Sequence, residues 1–142
     1  GLLEVAGFTQ QNNETAKLAN LRLLLAEDTS FFREAVLRAL QHVVAKLDLA
    51  NDGEEAWKML NEKEYDVLIT DIEMPKLDGF ALTERIRSST KLCSLPVIAL
   101  SARDSESFLN RAKQVGIDHY ETKFDRDRII AAVLKVISQQ NE

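Results

Sequence analysis

The sequence predicts an α/β fold, a doubly wound parallel sheet of five strands with helices on both faces. Three observations predict it. Short apolar runs alternate with helical periodicity five times from Leu21 onward. The run Val67-Leu68-Ile69-Thr70 is almost wholly apolar, as a central strand covered on both faces must be. Lys46-Leu47-Asp48-Leu49 instead alternates polar with apolar, which suits an edge strand with one wet side.

The elements follow in order. Leu21-Arg22-Leu23-Leu24-Leu25-Ala26 reads as a first buried strand. Ser30 is the expected N-cap of the first helix, with Arg33 and Glu34 in its first turn. Phe32, Val36, Leu40 and Val43 mark its buried face. After the edge strand, Asn51-Asp52-Gly53 makes a turn into a second helix that buries Ala56, Leu60 and Trp57. Asp78 or Gly79 opens a third helix, with Phe80, Leu82 and Ile86 facing the core. Leu95-Pro96-Val97-Ile98-Ala99-Leu100 is a fourth strand, its proline tolerable near the start. Phe108, Leu109, Ala112 and Val115 face inward from a fourth helix closed by Gly116. Asp118-His119-Tyr120-Glu121 is a short fifth strand. Ile129, Ile130, Val133, Leu134 and Ile137 form the buried face of the last helix. No internal repeat is visible. Thr9 to Asn20 is polar and without core periodicity, so residues 1–20 read as a tail or linker. The domain is expected over 21–138, with 139–142 as a C-terminal tail.

Composition narrows the function classes. Of 142 residues, 45% are apolar, enough for one core, and the net charge of -5 argues against nucleic acid as a partner. Cys93 is the only cysteine, which excludes an internal disulfide or a thiolate metal cluster and suits a reducing, cytoplasmic setting. No apolar run approaches the roughly 20 residues that span a bilayer, so no direct membrane insertion is expected. The N-terminus lacks the pattern of a secretion signal and an initiating methionine, and reads as the start of a fragment.

In open parallel sheets, ligands bind beyond the carboxyl ends of the strands. Residues at those ends are therefore the ones to read for chemistry. The first run ends in Glu27-Asp28, and the third in Asp71, with Glu73 two residues on. The fourth ends in Ser101 and the fifth runs to Lys123. Clustered carboxylates stay ionised only with a cation between them. An all-oxygen ligand set without histidine or thiol favours Mg2+, which keeps waters and accepts a phosphate ligand. Lys123 would supply a second positive charge to a phosphoryl group, and Ser101 a hydrogen bond. Such a rim suits in-line phosphoryl transfer to a carboxylate.

On these residues the chain resembles the receiver domain of two-component response regulators over about Leu21 to Ser138. The matching elements are Glu27-Asp28, Asp71, Ser101 and Lys123, in order. They are joined by Asp71-Ile72-Glu73-Met74-Pro75-Lys76-Leu77-Asp78-Gly79, and by Tyr120 three residues before the lysine. The resemblance implies a flavodoxin-like receiver fold with strand order 2-1-3-4-5, and a histidine kinase as phosphodonor to Asp71. It implies Mg2+ held by the Asp28 and Asp71 carboxylates, with Glu27 acting through water and Glu73 through its backbone carbonyl. Ser101 and Lys123 would bind phosphoryl oxygens. Ser101 and Tyr120 would form the switch that repacks the fourth helix, fifth strand and fifth helix for a downstream partner or another domain of the same chain. One departure stands out: the family commonly has proline after the lysine, and this chain has Lys123-Phe124. Together with Phe31-Phe32 and Ile72-Glu73-Met74-Pro75, that feature resembles receivers of chemotaxis proteins, especially at the C-terminal end of hybrid histidine kinases.

Other polar residues have plainer readings. Asp78 is a turn or cap residue, His42 and His119 are surface or packing residues, and Cys93 is inert. Glu73 and Arg103 have two readings, a pair at the mouth of the site that slows water attack or unpaired surface charges. One of Phe31 and Phe32 packs inside, and the other lies near the acidic pair or in an interface. The expected function is a phosphorelay switch rather than a turnover enzyme. The competing readings are a phosphatase with an aspartyl-phosphate intermediate, and a phosphorylation-independent docking domain.

Overall fold

The computed structural model describes residues 16–122 and 125–140. Side chains alternate faces along a strand, so Leu23 and Leu25 of β1 (Arg22–Ala26) enter one core while Leu24 and Ala26 enter another. Both layers of helix follow from this. α1 (Ser30–Leu40) and α5 (Arg126–Gln140) cover the first face through Val36, Leu40, Ile129 and Val133. α2 (Gly53–Glu62) and α3 (Gly79–Arg87) cover the second through Ala56, Leu60, Leu82 and Ile86. α4 (Glu106–Val115) packs beside α3. The remaining strands are β2 (Lys46–Ala50), β3 (Val67–Asp71), β4 (Val97–Leu100) and β5 (His119–Glu121).

All strand pairs are parallel and the order is β2-β1-β3-β4-β5, as expected. β3 lies in the middle with Val67, Leu68 and Ile69 fully buried, and β2 lies at an edge. The register pairs Ala26 with Thr70, and Asp71 with Leu100. It therefore brings the ends of β1, β3 and β4 level with one another. No described helix is long and apolar enough to cross a membrane.

Several local expectations are corrected. Thr29, not Ser30, occupies the N-cap of α1, and Ser30 is already helical. The Thr29 N–H is held by the Glu27 carboxylate at 2.9 Å, which fixes where the helix can begin. Phe80 does not share the buried face of α3. It lies about 200° round the helix from Leu82 at 3.6 residues per turn, and its ring meets Phe108 with centroids 5.6 Å apart. Thr83 takes the buried place, its hydroxyl donating to the Gly79 carbonyl at 2.8 Å. On α4, Ala112 and Val115 are buried, Phe108 is half-buried and Leu109 is exposed. Residues 16–19, inside the stretch read as linker, are helical, and Leu18 is only 4% exposed, within the α1–α5 core. At the other end, α5 continues to Gln140.

Arg87, the last residue of α3, clasps the segments on either side of β4. It donates from Nε to the Gly116 carbonyl at 3.0 Å, and from Nη1 to the carbonyls of Cys93 at 3.0 Å and Leu95 at 2.6 Å. Nη2 meets Asp118 Oδ2 at 2.8 Å, and the same oxygen accepts the Val97 N–H. Gly116 closes α4 with φ +96°, and a Cβ there would lie 2.9 Å from Arg87 Nε. A lysine cannot replace the planar fork. Arg87→Ala should lower unfolding free energy by about 2–4 kcal/mol, because several carbonyls lose their donor. Arg87→Lys should recover little of it. A urea-denaturation loss below about 0.5 kcal/mol would show that water replaces the guanidinium.

Candidate functional site

The level strand ends create the site. β1 runs into Glu27 and Asp28, and β3 ends on Asp71. Carboxylate oxygens of these three residues all lie within 4.8 Å of one another. Glu27 is only 2% exposed, Asp71 is half-buried and Asp28 is exposed. Burial, then the charges of Asp71 and Asp28, push the Glu27 carboxyl up to about 7 against the N–H of Thr29. Burial also pushes Asp71 up to about 6, with Asp28 adding to it. The N–H groups of Ile72 and Glu73 oppose that rise, the former at 2.8 Å. Three oxygen donors whose charges exclude one another fit a hard divalent cation such as Mg2+.

The backbone of Asp71 is pressed by the start of α3. Gly79 donates to the Ile72 carbonyl at 2.8 Å, and a Cβ on Gly79 would sit 2.3 Å from the Asp71 carbonyl oxygen. Asp78 is the N-cap of α3, accepting from the Ala81 N–H at 2.7 Å, so its turn-and-cap reading holds.

Ser101 follows β4 directly and is 5% exposed. Its Oγ accepts the Arg103 N–H at 3.2 Å. α4 takes Ser105 as its N-cap, so Ser101 has no capping duty. Tyr120 on β5 is half-buried, and its hydroxyl donates to the Arg103 carbonyl at 2.7 Å. Burial raises the Tyr120 phenol, while the Ser101 hydroxyl beside it works the other way. Ser101 and Tyr120 are thus physically joined through Arg103. The Arg103 guanidinium pairs with Glu73, the first of the two sequence readings, and stacks over Phe108 at 5.1 Å. The Glu73 carboxylate is therefore engaged by arginine and lies outside the cluster of Glu27, Asp28 and Asp71. Beside this pair, Ile72, Met74, Pro75, Phe80 and Phe108 line an open apolar hollow.

Lys123 and Phe124 lie outside the described residues. Phe31 is 74% exposed at the start of α1, edge-on to the half-buried Phe32 at 5.4 Å between centroids. His42 is exposed, His119 meets Glu121 at 3.4 Å, and Cys93 is exposed. The sequence placed Arg33 in the first turn of the first helix and gave it no part in the site. It reaches from α1 to the Glu27 carbonyl and to Asn51, contacts that no residue spacing signals.

The family model described as the response regulator receiver domain matches residues 23–134. The gliding motility regulatory protein of Myxococcus xanthus is 35% identical over 125 residues, covering 86% of this chain and 16% of that protein. Response regulator MprA of Mycobacterium leprae is 34% identical over 114 residues, covering 80% of this chain and 49% of that protein. The chain thus spans half or less of the length of these curated relatives. Among solved structures, the receiver domain of a sensor histidine kinase from Pseudomonas aeruginosa PAO1 has a TM-score of 0.76 at 25% identity. The match covers 84% of this chain and 99% of that one, which was solved with a magnesium ion coordinated in its active-site cleft.

The raised carboxyls carry a pH signature. The folded, metal-free protein holds protons on Glu27 and Asp71 that the unfolded chain releases near its ordinary carboxylate range. Stability should therefore fall as pH rises from about 4 to about 7. Glu27→Gln and Asp71→Asn should each flatten that fall in thermal melts with EDTA. Millimolar Mg2+ should restore the wild type above pH 7 and neither variant fully. Identical pH profiles for wild type and both variants would contradict the assigned shifts.

Proposed function

The chain belongs to the response regulator receiver family, and from that premise we propose that Asp71 accepts a phosphoryl group from a histidine kinase with Mg2+ at the acidic cluster. The convergence of Glu27, Asp28 and Asp71 within 4.8 Å is the observation that carries this reading. When bound, Mg2+ neutralises charge on the carboxylates and on the phosphoryl oxygens.

Asp28 and Asp71 would supply carboxylate oxygens to the cation, Glu27 would act through water, and Glu73 would offer its backbone carbonyl. The other Asp71 oxygen attacks phosphorus in line as the phosphorus–nitrogen bond to the donor imidazole breaks. An acyl phosphate forms, the phosphorus–nitrogen electron pair returns to the ring, and the imidazole, which enters as the phosphoimidazolium protonated on its other nitrogen, leaves neutral with the donor. Ser101 and Lys123 bind the transferred oxygens. Because Ser101 Oγ also holds the Arg103 N–H, a new bond from Ser101 to phosphate bears on the loop whose carbonyl Tyr120 grips. The switch would pass in this way to α4, β5 and α5, and to a downstream protein or a neighbouring domain.

The Glu73 carboxylate is committed to Arg103 at the mouth, which speaks against an acid–base role in a turnover phosphatase. The same pair would obstruct water on its way to the acyl phosphate. We further place the domain in chemotaxis-type signalling, attached to a histidine kinase and cytoplasmic. Support comes from Lys123-Phe124, Phe31-Phe32 and the likeness to a histidine kinase receiver.

Acetyl phosphate with Mg2+ should label the wild type at one site and leave Asp71→Asn unlabelled, read by intact-protein mass. Ser101→Ala and Lys123→Ala should slow labelling by about 10²-fold or more. Equal labelling of wild type and Asp71→Asn would reject the phosphoacceptor. Removal of the gate in Arg103→Ala should shorten the phosphoryl lifetime several-fold, followed by release of inorganic phosphate. An unchanged lifetime would show that water does not enter past that pair.

A further inference from the structure

The acidic cluster is made of groups that repel one another, so something must hold the β1–α1 loop against swinging outward. The Glu27 carboxylate is anchored by the Thr29 N–H, and its own N–H donates to the Ala50 carbonyl at 3.1 Å. That leaves the Glu27 carbonyl, on the peptide that leads into Asp28. Arg33 takes it with two donors, Nη2 at 2.7 Å and Nε at 3.3 Å. The same Nη2 reaches Asn51 Oδ1 at 2.7 Å in the β2–α2 loop. Asn51 Nδ2 in turn meets Glu55 Oε2 at 3.4 Å, and Glu55 N–H is received by the helix-capping Asp52 at 2.8 Å. The other Asp52 oxygen lies 3.6 Å from Lys76 Nζ, in the loop that follows Asp71. A continuous polar tie thus joins the β1–α1, β2–α2 and β3–α3 loops behind the carboxylates.

We propose that Arg33 is a positioning residue of the cation site: its guanidinium fork, braced by Asn51, fixes the Glu27–Asp28 peptide so that the acidic side chains converge. The proposal rests on the reading that Glu27, Asp28 and Asp71 receive Mg2+. Arg33 touches neither cation nor phosphoryl group. It acts by fixing a backbone plane from which Asp28 projects. A planar fork on one carbonyl and one amide oxygen is a geometry that lysine, a single point donor, does not reproduce. Groups that orient ligands in this way are worth about tenfold or more in metal affinity.

The test is Mg2+ binding by calorimetry at pH 8 on the whole chain, with circular dichroism and metal-free melting as controls for folding. Arg33→Met and Arg33→Lys should each weaken Mg2+ about tenfold, and Asn51→Ala should weaken it several-fold. Arg38→Ala, on the same helix and paired with Glu34, should leave it unchanged. Acetyl phosphate labelling of the Arg33 variants should return to near the wild-type rate once Mg2+ is saturating. Wild-type Mg2+ affinity in a folded Arg33→Met or Arg33→Lys protein would overturn the proposal. So would labelling that stays slow at saturating Mg2+. If the Arg33 variants do not fold, wild-type affinity in Asn51→Ala overturns it instead. A wild-type protein that binds no Mg2+ would refute the cation site itself, a result distinct from a failure of Arg33.

Discussion

Three carboxylates held within 4.8 Å of each other are the constraint to which the rest of this molecule answers. Left to themselves, such groups separate or take up protons. Separation is blocked here, because Glu27 and Asp71 are fixed by backbone that belongs to buried strands, and the carboxyls rise instead. Asp71 is the last residue of the central, fully buried strand, and Gly79 lets the start of α3 lie directly against its carbonyl. Glu27 continues a strand with four consecutive buried residues before it. The two hydrophobic layers stabilise the sheet, and the sheet keeps an unfavourable charge arrangement in place. Burial first, and then the neighbouring carboxylates, raise Glu27 and Asp71 in that arrangement.

The sheet was legible because its strands are short, apolar and regularly spaced. The alternation in Lys46-Leu47-Asp48-Leu49 marked the edge, and the run at Val67 marked the centre. The rim was legible for a related reason: a parallel sheet places the residue after each strand on one side, so chain order alone gathers Glu27, Asp28, Asp71 and Ser101. What sequence order does not carry is side-chain direction across elements. Phe80 looked buried because it is aromatic in a helix, yet helical geometry turns it away from Leu82 toward Phe108. Leu18 sits in one short turn of helix, and its i+3 neighbour Leu21 reads as part of the first strand, so its burial against α1 and α5 left too little periodicity to read. Arg33 and Arg87 work through backbone carbonyls that have no residue identity, and such contacts leave no motif.

Arg103 joins the residues around the mouth of the site closely. Its N–H holds Ser101, its carbonyl receives Tyr120, and its side chain engages Glu73 and the ring of Phe108. All of these contacts lie on one side of the molecule and none of them crosses the sheet. The loop is therefore coupled to the β3–α3 segment by charge, to α4 by stacking and to β5 by a hydrogen bond. Coupling of this kind needs no long path through the core.

Leu18 and Gln140 sit at the other pole of the molecule. The Leu18 carbonyl accepts the Leu21 N–H just ahead of β1, and Gln140 donates to the Ser94 carbonyl ahead of β4. Both contacts lie where strands begin, whereas the carboxylates lie where strands end. The domain is thus built like a tool with its handle opposite its working edge. The first described helical turn and the last described helical residue lie beside the starts of strands, on the side opposite the rim that bears Asp71.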